Sequence, residues 1–600
     1  MPGALVVASD VSRRASVMGL FTASSWPGYL LAVVVSATLW GSLLGLAARR
    51  GKRSAVVVAV GALMAGILVG WQRYFFVQYG TYLNRDAVFF GTTFVSTLRR
   101  TLAADGAGLA RALLPALVTS LLVALAARRK LVPSVPGRPT LAALVVAASL
   151  AAFSPWSYRG SQAATPDVLY LHGLGGLLLS RLGVIAPPPQ SLPGRRTPEY
   201  LPALVARPSR PRNVVFVLTE SVRADVVCMT PGPGCQTTPF SDAATPHRMP
   251  LRQLRANASS TAISVAVTLT GIPPESSRDE VHRAPTLWEY ARAAGYDTAY
   301  WTSQDLRGIN SDMFVREVGA RIQVQGYEID DTADVAFGAS DALLSERVAR
   351  DLPQLREPFV AVVHYANTHF PYWVDEKKSP FQPSESTKDP SKNDTYFNFY
   401  KNSVYLQDES IGALLRTLRA APSSDRTIVV FTSDHGEAFR EHSQMAHTLS
   451  VYDEEIHVPG WIDAPGPSLT PDERRALEQL ADEPIWHLDM LPTFLDLLGL
   501  ADAPALARFR ARMPGASWLR QPLPERLMSL TNCTAVWSCA FRNWGLMRGP
   551  LKLEARAWDP DWHCWNTRTD PGETHDLGVG ACGDLASQAI KRFGSRPGDP

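Results

Sequence analysis

Residues 213–225 read NVVFVLTESVRAD. The run Val214–Leu218 is unbroken and apolar, and it ends in Thr219 and the carboxylate of Glu220. A strand without polar alternation is one buried on both faces, which is the habit of a parallel sheet. The design recurs downstream. FVAVVHYANTH (359–369) ends in His369, and TIVVFTSDHGE (427–437) runs into Asp434 and His435. Between these two, YKNSVYLQDESIGALLRTLRAA (400–421) has a helical period. TLWEYARAAGY (286–296) reads as an amphipathic helix followed by the strand-like DTAYWTS. Strands alternating with helices predict an α/β domain, residues 212–600, with a mostly parallel central sheet covered by helices. Ligands bind such sheets at the carboxyl ends of the strands. Three strands bring Glu220, His369 and the Asp434–His435 pair to that edge, which makes it the candidate active site.

Singly, each of these residues reads equally well as structure: a Glu after a strand caps helices, and SDHGE suits a loop with capping acids. Arriving together, they read as chemistry. Glu220, Asp434 and His435 offer oxygen and imidazole ligands, and one more oxygen would complete a four-coordinate site for Zn²⁺ or Mn²⁺. The stretch SSTAISVAVTLTG (259–271) supplies hydroxyls without Lys, Glu or Cys. Thr261 can be both ligand and nucleophile, because a metal stabilises an alkoxide at neutral pH. Ser264 is expected to assist substrate binding at the start of the helix. His369, His447 and His457 suit a phosphoryl oxyanion, a second metal or leaving-group protonation. His364 is expected to be buried in its strand and His442 to be solvated.

The N-terminal quarter is a different material. Residues 1–156 hold 15 Lys and Arg against three acids, Asp10, Asp86 and Asp105, while the whole chain is only +3. The charges flank four apolar runs: Tyr29–Ala48, Ser54–Trp71, Ala112–Ala127 and Leu141–Trp156. Spanning a bilayer takes about 20 apolar residues. Four runs within 156 residues would leave a soluble domain without a polar surface, so a multi-span transmembrane domain (1–156) is expected and nucleic-acid binding is not. Arg49, Arg50, Lys52 and Arg53 follow the first run; Arg128, Arg129, Lys130 and Arg138 follow the third. Placing both loops inside puts everything after residue 156 outside. The Arg99–Arg100 pair runs against this rule, and a fifth span near Asp86–Leu98 or the N-terminus remains open. All six cysteines lie after residue 156, which fits an oxidising compartment and the pairings 228–235, 533–539 and 564–582. Residues 157–211 comprise an expected interfacial helix (168–186) and a Pro-rich connector (187–211).

With these residues in view, the domain resembles the sulfatase-like branch of the alkaline phosphatase superfamily. It is most similar to the membrane phosphoethanolamine transferases, with the lipoteichoic acid (phosphoglycerol) synthases next. VVFVLTESVRAD places Glu220 on the family's metal-binding Glu, with Thr219 where the transferases have Gly. TAISV (261–265) places Thr261 on their nucleophile. HYANTHFPY (364–372) places His369 on the phosphate-binding His. SDHGEAFREHSQMAH (433–447) carries the metal-binding Asp434 and His435, with His447 thirteen residues beyond Asp434. YDEEIHVPGWI (452–462) and DPGETHDL (570–577) are general landmarks of the family. His457 falls on a His before Val-Pro, at a shorter spacing from His447 than in those transferases.

The resemblance implies a plasma-membrane enzyme with its catalytic domain on the periplasmic or extracellular side. It would move a phospholipid head-group phosphate, phosphoethanolamine or phosphoglycerol, through a Thr-linked intermediate to an envelope glycan or lipid. The alternatives are an anchored sulfatase-like hydrolase and a scaffold without activity. Sulfatases need Cys or Ser in a Cys/Ser-x-Pro-x-Arg motif, converted to formylglycine. Here Thr261, Ile263 and Val265 stand instead, and threonine cannot be so converted, which argues against sulfate ester hydrolysis.

Overall fold

The computed structural model describes residues 2–597 except 20, 50–51, 86, 90–105, 127–128, 130–136, 186–194, 205–211, 233, 307–311, 334–336, 524 and 534–541. Arg99–Arg100, most of the Asp86–Leu98 segment, most of the Pro-rich connector and Cys539 lie outside the described residues.

The N-terminal region is helical. It comprises α1 (Pro2–Gly19), α2 (Ser25–Ala47), α3 (Lys52–Ala65) continuing through a π-turn (Gly66–Gly70) into α4 (Trp71–Tyr79), α5 (Gly106–Ala126), α6 (Gly137–Phe153) and α7 (Pro166–Arg181). Among the described residues, three stretches are long and apolar enough to cross a membrane: Ser25–Ala47, Val56–Tyr79 and Gly106–Val123. They coincide with the first three apolar runs. The fourth run forms the shorter, 17-residue α6. The second run outlasts its apolar sequence because the amide of buried Gln72 donates to the carbonyls of Leu83 and Pro166, both at 3.0 Å. Helix α1 has no counterpart among the apolar runs, since Asp10 and Arg14 interrupt it. Inside the fold these two pair at 2.8 Å, and the Tyr29 and Tyr82 hydroxyls donate to Asp10 at 2.8 and 2.7 Å. Buried charges are tolerated when paired and hydrogen-bonded in this way, which no local pattern reveals. The run expected to form an interfacial helix (168–186) is helical as α7, from Pro166 to Arg181, and exposes Leu174 and Leu178.

The α/β domain is built on a seven-stranded sheet. Its strands are β1 (Asn213–Thr219), β2 (Met249–Pro250), β3 (Asp297–Thr302), β4 (Ile322–Val324), β5 (Phe359–Tyr365), β6 (Thr427–Ser433) and β7 (Gly460–Asp463), in the order β2-β7-β6-β1-β5-β3-β4. Strands β1 and β3–β6 are parallel; β7 runs antiparallel to both its neighbours. The central strand divides its side chains between two cores. Val214, Phe216 and Leu218 pack with α8 (Thr261–Thr270), α9 (Leu287–Ala293) and the later helix Met490–Leu497. Val215 and Val217 pack with α10 (Asp341–Asp351) and α11 (Asn393–Ala420). That is why Val214–Leu218 shows no polar alternation. Helix α9 starts at a capping box, in which Glu289 accepts the backbone N–H of Thr286 at 2.6 Å. Helix α11 begins seven residues before the predicted Tyr400. Its extra turns, rich in aromatics, join Tyr396 and Phe397 to Tyr372 and Phe439.

A four-stranded antiparallel sheet follows, of strands Met528–Thr531, Asn543–Arg548, Leu551–Arg556 and Asp559–Asn566, packed against the helix Leu585–Phe593. The disulfides Cys228–Cys235 and Cys564–Cys582 form as expected. The helical region is bonded to the α/β domain: Arg159 pairs with Asp559 at 3.0 Å and Asp561 at 2.5 Å, and Arg111 pairs with Asp389 at 2.9 Å.

Candidate metal centre and nucleophile

Parallel pairing sets β1 beside β6, with Thr219 opposite Ser433. The next residues are therefore neighbours, and Glu220 and Asp434 meet at the sheet edge. The chain turns at once after Glu220. Ser221 is left-handed, with φ 57°, and its N–H donates to Asp434 Oδ1 at 2.9 Å. Thr261, the first residue of α8, points its hydroxyl into this corner. Its Oγ1 donates to Glu220 Oε1 at 2.6 Å and lies 3.1 Å from His435 Nε2. His435 Nδ1 donates to the Gly436 carbonyl at 2.8 Å, which turns the Nε2 lone pair toward the cluster.

One ligand atom from each of Glu220, Asp434 and His435 lies within 4.8 Å of the others, and all three residues are buried. Asp434 Oδ2 is buried without a hydrogen-bond partner, 3.3 Å from His435 Nε2. Burial and the adjacent Glu220 carboxylate push Asp434 up to about 6. Burial also disfavours a charged His435, yet Asp434 and Glu220 prevail and push it up to about 10. Burial would raise Glu220 too, but the His364 and His435 imidazoles, 3.4 and 3.6 Å from its oxygens, hold it well below the carboxylate range. Two enclosed carboxylates thus favour positive charge on the adjacent His435. An orphaned carboxylate oxygen, a second carboxylate, an imidazole nitrogen and a hydroxyl fit a divalent cation of the Zn²⁺ or Mn²⁺ kind.

The other predicted residues fall unevenly. The His369 and His447 rings are 5.6 Å apart, and His447 is 4.3 Å from the His435 ring, so both border the cluster on its half-exposed side. Burial lowers His369 and keeps it neutral. His447 Nδ1 lies 3.3 Å from Glu437 Oε1. Ser264 does not face the cleft. Its buried hydroxyl donates to the backbone carbonyl of Asp434 and lies 3.1 Å from His487 Nδ1, behind the Glu220–Asp434–His435 cluster. His457 is not brought to the cluster either. The short helix Asp453–Ile456 turns it toward Arg252, whose carbonyl accepts from Nε2 at 2.8 Å, beside the Arg255–Asp453 pair.

Four residues at the site had no role assigned from the sequence. His364 is buried in β5 as expected, but its Nε2 lies 3.4 Å from Glu220 Oε2, and Gln304 donates to the same oxygen at 2.9 Å. Glu437 orients His447, and His487, held down to about 3 by burial and then by His435, stays neutral behind Ser264. His364 had a signal, a histidine near the end of a strand. Gln304 had none, since it reaches Glu220 only through the turn after β3.

The loop carrying His447 is strained. Arg440, Ser443, Ala446 and Thr448 all have φ between 59° and 78°. Non-glycine residues held there cost roughly 1–3 kcal/mol each and persist only when surroundings impose them. Here the helical region does so. Arg440 donates to the Val77 carbonyl at 3.0 Å and to Gln78 Oε1 at 2.6 Å, and Leu449 packs on Leu83 and Ala87. His442 is half-buried rather than solvated: Nδ1 donates to Glu454 at 2.6 Å and Nε2 to the Glu573 carbonyl at 3.2 Å. Burial would lower its pKa, but Glu454 raises it. Arg440→Ala is expected to lower turnover of bis(p-nitrophenyl) phosphate by roughly tenfold to a hundredfold through misplacement of His447, with metal content unchanged. Elemental analysis beside steady-state rates checks this.

The Sulfatase family model matches residues 212–500. The Ulvan-active sulfatase of Formosa agariphila is 26% identical over 336 residues, covering 48% of this chain and 62% of that protein. The lipoteichoic acid synthase-like YvgJ of Bacillus subtilis is 22% identical over 312 residues, 48% of each chain. The chain spans less than two thirds of the length of either relative. Among solved structures, the integral membrane protein lipooligosaccharide phosphoethanolamine transferase A from Neisseria meningitidis superposes with a TM-score of 0.50 and 18% identity. That superposition covers 83% of this chain and 95% of the other, which shows a common fold. The stretch matched by the Sulfatase family model thus contains the whole Thr261 corner, and the chain shares its fold with a membrane phosphoethanolamine transferase.

Proposed function

We propose that the chain is a membrane-anchored, metal-dependent phosphotransferase that takes a head-group phosphate from a phospholipid, passes it through Thr261, and delivers it to an envelope glycan or lipid hydroxyl. The observation that carries this reading is the Thr261 hydroxyl, 2.6 Å from Glu220 and 3.1 Å from His435 at the N-terminus of a ten-residue helix. Three apolar helices support the anchor, and the disulfides support an oxidising compartment for the catalytic domain. A divalent cation held by Glu220, Asp434, His435 and Thr261 would supply the positive charge that favours the threonine alkoxide.

The chain's own groups do the rest. Glu220 Oε1 is the acceptor for the Thr261 proton. Thr261 Oγ1 bonds to phosphorus as the bond to the diacylglycerol oxygen breaks. The positive end of α8 faces the developing phosphoryl charge. His369, held neutral, donates a hydrogen bond to a phosphoryl oxygen, and His447, backed by Glu437, gives the leaving oxygen its proton. An acceptor hydroxyl then gives its proton to His447 as its oxygen bonds to phosphorus; the bond from phosphorus to Thr261 Oγ1 breaks, and that oxygen takes back the proton held on Glu220.

The test is to incubate the full chain with phosphatidylethanolamine or phosphatidylglycerol isotopically labelled in the head group. Diacylglycerol should appear, with labelled phosphate on Thr261 in peptide mass spectra. Sulfate release from an aryl sulfate, without any phosphothreonine, would replace this reading with the hydrolase to which the 26% identity with a sulfatase points.

A further inference from the structure

The helical region holds a groove of about 260 Å³ between α1, α2, α3 and α5, which the chemistry above does not use. Its origin is visible in GILVG (66–70). A Cβ on Gly66 would lie 2.4 Å from Leu117, and one on Gly70 would lie 2.9 Å from the backbone of Leu113, so these glycines let α5 approach the π-turn closely. One turn earlier the helices part. A Cβ on Gly61 meets nothing within 4 Å, and small residues, Ala62, Ala65, Ala112 and Ala116, line the gap.

A cation lines one end of the groove, and a second lies on the lining residue Ser9. Ala62, Ala65, Val69 and Arg73 all line it, and the Arg73 side chain is exposed, without an acidic partner among the described residues. On α1, Ser9 lines the groove as well, and Arg13 folds back onto it. Arg13 Nε donates to the Ser9 carbonyl at 2.8 Å and Nη2 to the Ser9 hydroxyl, while Nη1 is buried with no hydrogen-bond partner. The nearest acid is committed elsewhere, because Asp10 already receives Arg14, Tyr29 and Tyr82. A charged residue within a membrane-crossing helix marks a ligand site by default, and a buried donor without an acceptor carries a desolvation cost that an anion would remove.

We propose that this groove holds one phospholipid, an acyl chain lying along Gly61–Val69 and the phosphodiester between Arg73 and Arg13. A free phosphate would leave the apolar walls unfilled, and a hydrocarbon chain alone would leave both guanidinium groups without an anion. The inference rests on the membrane reading of these helices and not on the chemistry of Thr261. The site shares one continuous helix with Val77 and Gln78, which hold the strained His447 loop. The lipid therefore belongs to the body that positions the catalytic loop.

The test uses the full chain carrying Thr261→Ala, so that bound lipid is not consumed and failure of the transferase reading cannot mimic failure of this one. Native mass spectrometry from mild detergent should find one phospholipid per chain. Arg13→Ala with Arg73→Ala should cut retention at least tenfold. Gly61→Leu, which fills the groove and leaves both arginines in place, should do the same with an unchanged melting temperature. Millimolar inorganic phosphate or glycerophosphodiester should not displace the lipid. Absence of lipid from the parent, equal retention in both variants, or displacement by free phosphate would overturn the proposal.

Discussion

Thr261→Ala is expected to reduce head-group transfer by roughly a thousandfold or more, as removal of a covalent nucleophile does. The expectation follows from what the side chain lacks in alternatives. Within the site, Thr261 Oγ1 is the hydroxyl bonded to Glu220 and facing His435. Ser264 is turned behind Asp434, and Ser259 is engaged with Glu455 at 2.8 Å, so neither can substitute. The fold should survive, because Thr261 is only partly buried and the helix is capped at its other end by Gly271, with φ 66°. Thr261→Ser should recover a measurable fraction of the rate, since it restores the oxygen and loses only a methyl group. Diacylglycerol release from a fluorescent phospholipid, measured for the three proteins side by side, decides the matter. Full activity in the alanine variant would remove Thr261 from the mechanism.

Asp434→Asn should separate metal binding from folding. Oδ1 accepts the N–H groups of Ser221 at 2.9 Å and His435 at 2.7 Å, and an asparagine oxygen can keep both. The orphaned Oδ2 becomes an amide, and a carboxylate that crowds Glu220 disappears. Without metal, the variant should be at least as stable as the parent, because a like-charge repulsion in a buried site has been relieved. With metal, the order reverses. A ligand at 100 times its dissociation constant stabilises the parent by about 2.7 kcal/mol. The variant, having lost a ligand, should bind at least about a hundredfold more weakly and show little of that gain. Thermal melts of both proteins, chelated and then titrated with Zn²⁺ and with Mn²⁺, give both halves of the result. An equal metal-induced shift in the two proteins would remove Asp434 from the ligand set.

The sheet edge was legible because its residues are local to their strands. Val214–Leu218, Phe359–Tyr365 and Thr427–Ser433 announce themselves as buried strands, and Glu220, Asp434 and His435 follow their strands directly. Thr261 was legible from its surroundings, a hydroxyl at the head of an apolar helix. His457 and Ser264 were misjudged for opposite reasons. His457 sits beyond a four-residue helix whose direction depends on the Arg255–Asp453 pair, formed by residues 198 positions apart. Ser264 is on the right helix, but one turn beyond Thr261 a side chain points at the Asp434 backbone instead of the cleft.

From its order of residues alone, this protein has an apolar, basic helical quarter, a buried parallel sheet and a set of candidate ligands at one strand edge. These are consequences of hydrophobic periodicity and of side chains lying beside the strand they end. Only the tertiary structure decided that Asp10 and Arg14 complete a helix, and that His364 and Gln304 hold Glu220. It alone showed that Arg440 ties the His447 loop to α4, and that Arg73 lines an apolar groove. Each of these depends on partners far apart in the chain, where burial turns a hydrogen bond or an ion pair from incidental into required.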